Sequence, residues 1–172
     1  MIYIELTQGK QAMVDQCNAD LADVNWYVQK LGSCGNPRFY AVRHSSRIAG
    51  KQHRIYLHRV VMERKLGRSL ETWEQIDHKN CNGLDDSETN LRIASSLQNQ
   101  RNKRPAVENK TSQYKGIHWN KNESKWVSGI RVNGVLKHLG YFIVEKDAAL
   151  AYDSAAELYF KDFAKLNFPR KV

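Results

Sequence analysis

Short runs of alternating apolar and polar residues, separated by turn formers, dominate this chain and predict strands more often than helices. Residues 2–6 alternate and meet Thr7-Gln8-Gly9-Lys10, which predicts a strand turning into a hairpin. Residues 20–24 fit a helical turn. Further strands are expected at 26–28, 38–43 and 53–58, where aromatic and β-branched residues interleave with Arg and His. A helical pattern then covers 58–65, closed by Leu66-Gly67-Arg68. The chain should extend again over 73–78 and enter a second helix at Ser95 or Ser96. Pro105 stops that helix, and the polar stretch 105–111 reads as a linker.

Past the linker the pattern changes. Residues 114–119, 125–132 and 135–142 form three strand-like runs, the last two joined by Asn133-Gly134, a strong hairpin signal. Residues 145–160 are helical, with Ala148, Ala149, Ala151, Ala155 and Ala156 giving a small-residue face that permits close approach to the sheet. The expected class is α+β, with two small modules at 1–104 and 112–172 rather than one large core.

The formal net charge of +9 favours a polyanionic partner. Its distribution is segmental: residues 41–72 carry eight Lys and Arg against two acids, whereas residues 73–100 carry two against five. An acidic pocket between basic arms suits a metal site flanked by phosphate-gripping surfaces. On the strand at 38–43 the cations do not segregate to one face, so a groove-facing ribbon and a solvated basic edge both fit. Cys17, Cys34 and Cys81 are few and widely spaced, which argues against a disulfide framework or a structural zinc. With no leader-like or membrane-length apolar run, a soluble protein of a reducing, cytoplasmic compartment, not secreted and with no membrane role, is expected.

Within the acidic stretch, Ile76-Asp77-His78 precedes a turn-rich loop, and Asn99 lies on the following helix. Asp77 and Asn99 offer hard oxygen ligands suited to one Mg²⁺ or Mn²⁺, while His78 suits a general base, since imidazole is the side-chain type that exchanges a proton near neutrality. Adjacent residues on an extended chain point to opposite sides, so ligand and base are separated. That is equipment for phosphodiester hydrolysis. Cys81 is read as a small filler, and His58 is open between packing, phosphate binding and approach to the site.

Leu57-His58-Arg59, Ile76-Asp77-His78, Asn90-Leu91-Arg92 and Gln98-Asn99-Gln100-Arg101-Asn102 together resemble the HNH endonucleases, particularly the phage and intron-encoded nicking homing enzymes, over residues 1–104. The resemblance implies a ββα-metal finger in which Asp77 and Asn99 hold the ion, His78 is the base and Asn90 braces the loop. Asn80-Cys81-Asn82-Gly83 departs from the acidic or Gly residue that many relatives place soon after the His.

Tyr114-Lys115-Gly116-Ile117, Lys125-Trp126-Val127, Leu139-Gly140-Tyr141-Phe142 and Leu166-Asn167-Phe168-Pro169 resemble the ethylene-response-factor DNA-binding domain. That resemblance implies a three-stranded sheet in the major groove, with Lys115, His118, Trp119, Lys125, Arg131 and Lys137 as contacts. Arg131 is the strongest candidate to read a base, since guanidinium bonds guanine bidentately. Trp126 reads as core, and Trp119 is open. The basic flanks add Arg54, Arg101 and Lys103. The expected function is site-specific nicking of double-stranded DNA by a monomer in a bacterial or phage-infected cell. The alternatives are an inactive DNA-binding regulator and an RNA-processing nuclease.

Overall fold

The computed structural model describes residues 1–32, 37–47, 50–102 and 111–169. Two units, Met1–Asn99 and Gln100–Val172, compose it, and each mixes helix and sheet. Lys103, Cys34 and all but the last residue of the expected linker 105–111 lie outside the described residues. No helix among the described residues is long and apolar enough to cross a membrane.

In the first unit β1 (Ile2–Glu5) and β2 (Gln11–Val14) form an antiparallel hairpin that buries Ile4 against Ala12. A 3-10 segment, Gln16–Asp23, follows, longer than the single turn expected at 20–24. Leu21 from it enters the core and its carbonyl accepts the Trp26 indole N–H at 2.9 Å, so the large ring is buried with its polar atom satisfied. β3 (Tyr27–Leu31), β4 (Arg38–His44) and β5 (Arg54–Tyr56) build a sheet in sequence order. The strand expected at 53–58 ends at Tyr56, and α1 (Leu57–Leu66) begins at once, so His58 sits in the first helical turn. Gly67, at φ 65°, closes α1 in the left-handed conformation that suits glycine.

Leu57, Val61 and Met62 turn one side of α1 into a core shared with Val28, Ala41 and Leu91. Each such side chain is worth about 1.5–3 kcal/mol relative to exposure. Against that core lies an antiparallel pair, β6 (Gln75–His78) and β7 (Leu91–Ala94), followed by α2 (Ser96–Asn102).

Entry into β6 is fixed by charge. Arg68 makes a two-point bond to Glu74 at 2.7 and 2.8 Å, and Glu74 also accepts the Glu71 N–H at 2.8 Å. Those bonds hold the Glu74 carboxyl at about 2, below its ordinary 4.5, so its stabilisation is complete above pH 4.5 and fades as pH falls through 2. Glu74→Gln is expected to melt lower than the parent at neutral pH, with the gap closing as the pH drops from about 4.5 toward 2. Melting curves that stay equally separated in acid would place the effect elsewhere.

The second unit packs β8 (Ile117–Asn120), β9 (Lys125–Val132) and β10 (Val135–Phe142) into an antiparallel sheet of order β10-β9-β8 under α3 (Glu145–Phe160). Ala148, Ala149, Tyr152 and Ala156 of α3 meet Ile117 and Ile130 of the sheet. The first strand is shorter than the run 114–119 suggests, because Lys115 is engaged differently. Asn167 accepts its N–H at 2.7 Å and donates to its carbonyl at 3.2 Å. Asp153, buried on α3, accepts the Asn167 and Phe168 N–H groups, both at 2.8 Å, and so fastens the chain end to the helix.

Candidate active site

β6 delivers Asp77 and His78 as buried neighbours on opposite faces, as alternation requires. Asp77 stands across from Arg92 in the β6–β7 register, and its Oδ2 accepts from Arg92 Nε at 2.8 Å and Nη2 at 2.6 Å. Asn99, half-buried on α2, donates from Nδ2 to Gln75 Oε1 at 3.1 Å, and Gln75 shares the face of β6 that carries Asp77. The two expected ligands thus come from β6 and α2, on a common side of the strand.

Between the strands, residues 79–90 form a loop held by its own side chains. Asn90 Oδ1 accepts the Asn80 N–H at 3.0 Å while its Nδ2 donates to the Asp85 carbonyl at 2.7 Å. Asn80 and Asn82 each accept the N–H two residues further on, from Asn82 at 2.8 Å and Leu84 at 3.2 Å, in a turn where Cys81 sits at φ 62°. Gly83 is required for another reason. A Cβ there would lie 2.5 Å from the Phe39 carbonyl oxygen and 2.7 Å from the Tyr40 ring, so only glycine lets the loop approach β4. β2 clamps the next stretch: Met13 donates to Leu84 and accepts from Asp86, each at 2.8 Å.

That clamp turns Asp86 inward. Its Oδ1 lies 2.8 Å from His78 Nε2, and the two side chains are 0% and 6% exposed, so water does not compete for the bond. His58 stands edge-on to His78, with ring centroids 5.3 Å apart, and Tyr40 packs near both imidazoles. Burial pushes the His58 imidazole down to about 3, helped by the nearby His78 and Arg59 charges. Burial also pushes the Asp86 carboxyl up, opposed by its bond to His78. His58 Nδ1 and Asp86 Oδ2 are sealed and make no hydrogen bond among the described residues. His58, His78 and Asp86 can offer ligand atoms within 4.8 Å of one another, a nitrogen-rich set of the kind transition metals favour. The sequence pattern assigns no role to Asp86, nor to Arg92 beyond its place in the Asn90-Leu91-Arg92 motif. The only cue is the acidic pair Asp85-Asp86, which does not say which member turns inward.

The expected DNA contacts of the second unit divide by sheet face. His118 pairs with Val127, and Lys125 and Arg131 lie in phase with Val127 on β9, so these three point away from α3. Arg131 is exposed there and reaches the Gly134 carbonyl at 2.8 Å. Trp119 and Lys137 lie in the opposite phase. Trp119 faces Trp126 across the strands, with rings 5.1 Å apart, and Lys137 pairs with Ile130. Both therefore occupy the face that α3 covers, where Lys137 Nζ lies over the Tyr159 ring. Lys115 spends its ammonium on the Arg101 carbonyl. Arg101 stacks over Phe160 at 4.7 Å, and Arg54 is exposed at the start of β5.

Residues 55–101 match the model of the HNH endonuclease family. The match runs from β5 to α2 and contains His58, Asp77, His78, Asp86, Asn90 and Asn99, so this stretch of the chain is similar to the HNH endonucleases and supports a nuclease.

Proposed function

We propose that this chain is a site-specific DNA endonuclease of the nicking homing type, in which the first unit cuts and the second reads sequence. The observation that carries the reading is the coincidence of the HNH match with buried Asp77 and His78 on β6, the Asn90-braced loop that follows them and half-buried Asn99 on α2. We assign β6, β7 and α2 as a ββα-metal finger.

The donors fit a hard divalent ion. Asp77 is a carboxylate side chain held in place by Arg92, and Asn99, which donates from Nδ2 to Gln75, keeps its amide oxygen for coordination. Asp77 and Asn99 would hold Mg²⁺ or Mn²⁺. Such an ion supplies charge stabilisation to the non-bridging oxygens and to the departing 3′ oxygen. His78, on the other face of β6, takes the proton from the attacking water, and Asn90 keeps the loop that frames it in one conformation. The products are a 5′-phosphate and a 3′-hydroxyl. One such site per chain cuts one strand, so a monomer nicks.

The outer sheet face with His118, Lys125 and Arg131 is the assigned major-groove surface, where Arg131 reads a base and the lysine grips phosphate. A groove-reading sheet selects duplex DNA over A-form RNA, whose deep major groove excludes side chains. Arg54 and Arg101 add cationic contacts.

A supercoiled plasmid carrying the cognate site tests this. Conversion to the open circle with Mg²⁺ or Mn²⁺, and none with chelator, is expected. Tight binding with no conversion under any divalent ion would instead make the protein a DNA-binding regulator.

A further inference from the structure

We propose that Asp86 is a positioning residue that fixes the tautomer of His78, holding its Nε2–H so that the imidazole lone pair lies on Nδ1. The role of that lone pair as a base rests on the nuclease reading above; the tautomer itself does not.

Three observations carry the assignment. The bond is short, 2.8 Å from His78 Nε2 to Asp86 Oδ1, and both partners are buried. An ionised Asp86 can only accept in such a bond, which would place the hydrogen on Nε2, and a neutral imidazole then has its lone pair on Nδ1. The position of Asp86 is also set independently of His78. Its backbone N–H is given to Met13 at 2.8 Å, and Met13 in turn binds Leu84, so β2 fixes the loop on either side of Asp85. Finally, the imidazole cannot turn over cheaply. His58 stands against it edge-on at 82°, Tyr40 lies 6.0 Å from it, and a ring flip would break the only bond in which Asp86 Oδ1 engages His78.

The orientation matters because a general base transfers a proton only through the nitrogen that faces it. A freely flipping ring would present the wrong nitrogen part of the time. Locked, it presents one. His58 takes no proton in this arrangement and serves as a wall of the slot.

The test reads tautomers directly, by long-range ¹H–¹⁵N correlation of the histidine-labelled full chain, recorded well above the ordinary histidine titration range. The parent should show His78 as the Nε2–H form. Asp86→Ala should show a mixture of both forms, and Asp86→Asn, whose amide oxygen still accepts, should keep most of the Nε2–H form. In single-turnover nicking, Asp86→Ala should lose about 10–100-fold in rate with KM for DNA unchanged, and Asp86→Asn should recover most of the loss. An Nδ1–H form in the parent would mean a protonated Asp86 donating to His78, and would overturn the proposal. So would an unaltered tautomer in Asp86→Ala. Visible Co²⁺ absorption bands that vanish in His58→Ala would also overturn it, by making the three side chains a metal site. If the parent fails to nick while the tautomers behave as expected, the nuclease reading falls and the positioning stands.

Discussion

His78→Ala is expected to slow nicking of supercoiled DNA by about 10²–10⁴-fold, the span a positioned general base contributes. KM for DNA should stay near the parental value, because the side chain is buried behind the loop and makes no part of the groove-facing surfaces. The substitution has a second effect that must be kept apart from the first. It strips Asp86 of its partner, and a carboxylate left unpaired in the interior costs about 3–5 kcal/mol unless it takes up a proton. Rates therefore belong well below the melting temperature of the variant, measured in single turnover with a melting curve beside them. Asn99→Ala supplies the comparison: half-buried on α2 and bonded, among the described residues, only to Gln75 through its side chain, it should lose rate with little loss of stability. If His78→Ala nicks at the parental rate, the base lies elsewhere and the acidic loop has another purpose.

Much of this architecture is legible in the residues because the signals are local. The Asn133-Gly134 turn has φ of 50° and 84° at its two positions, the signature of the tight hairpin its sequence announces. The Ala face of α3 follows from helical period alone, and the adjacency of Asp77 and His78 on a strand fixes that they diverge. What escapes the sequence is decided across the fold. Asp77 meets Arg92 only through the β6–β7 register, and Asp86, not Asp85, turns inward because β2 clamps the loop on either side of Asp85. The same limit explains Trp119 and Lys137. Their chemistry suits DNA, but β8 and β10 put them in phase with the α3 side of the sheet, and composition carries no information about strand phase.

The second large effect is expected at Gly116, which separates chemistry from site choice. Gly116 has φ 80°, a conformation that penalises any Cβ, and its carbonyl accepts the Gly129 N–H at 3.0 Å where β8 begins. A Cβ there would also fall 2.1 Å from Tyr152 Cδ2 and 2.8 Å from the Gly129 carbonyl oxygen. Tyr152 is buried in the core of the second unit and has nowhere to withdraw, and the Gly129 carbonyl is backbone. Strain and overpacking together cost Gly116→Val about 2–5 kcal/mol. A unit of this size has a total stability of about the same magnitude, so most of it should unfold. The first unit has its own core, led by Leu57, Val61 and Leu91, and should keep its melting transition. Gly116→Val is thus expected to show one melting transition in place of two, to nick weakly and without preference, and to lose most discrimination between cognate and unrelated plasmids. Gly134→Ala is the matched control, since a Cβ at that hairpin meets no atom within 4 Å and pays only for its φ of 84°. Undiminished site choice in a Gly116→Val protein whose second transition has vanished would remove the sheet from DNA recognition and return specificity to the strands of the first unit.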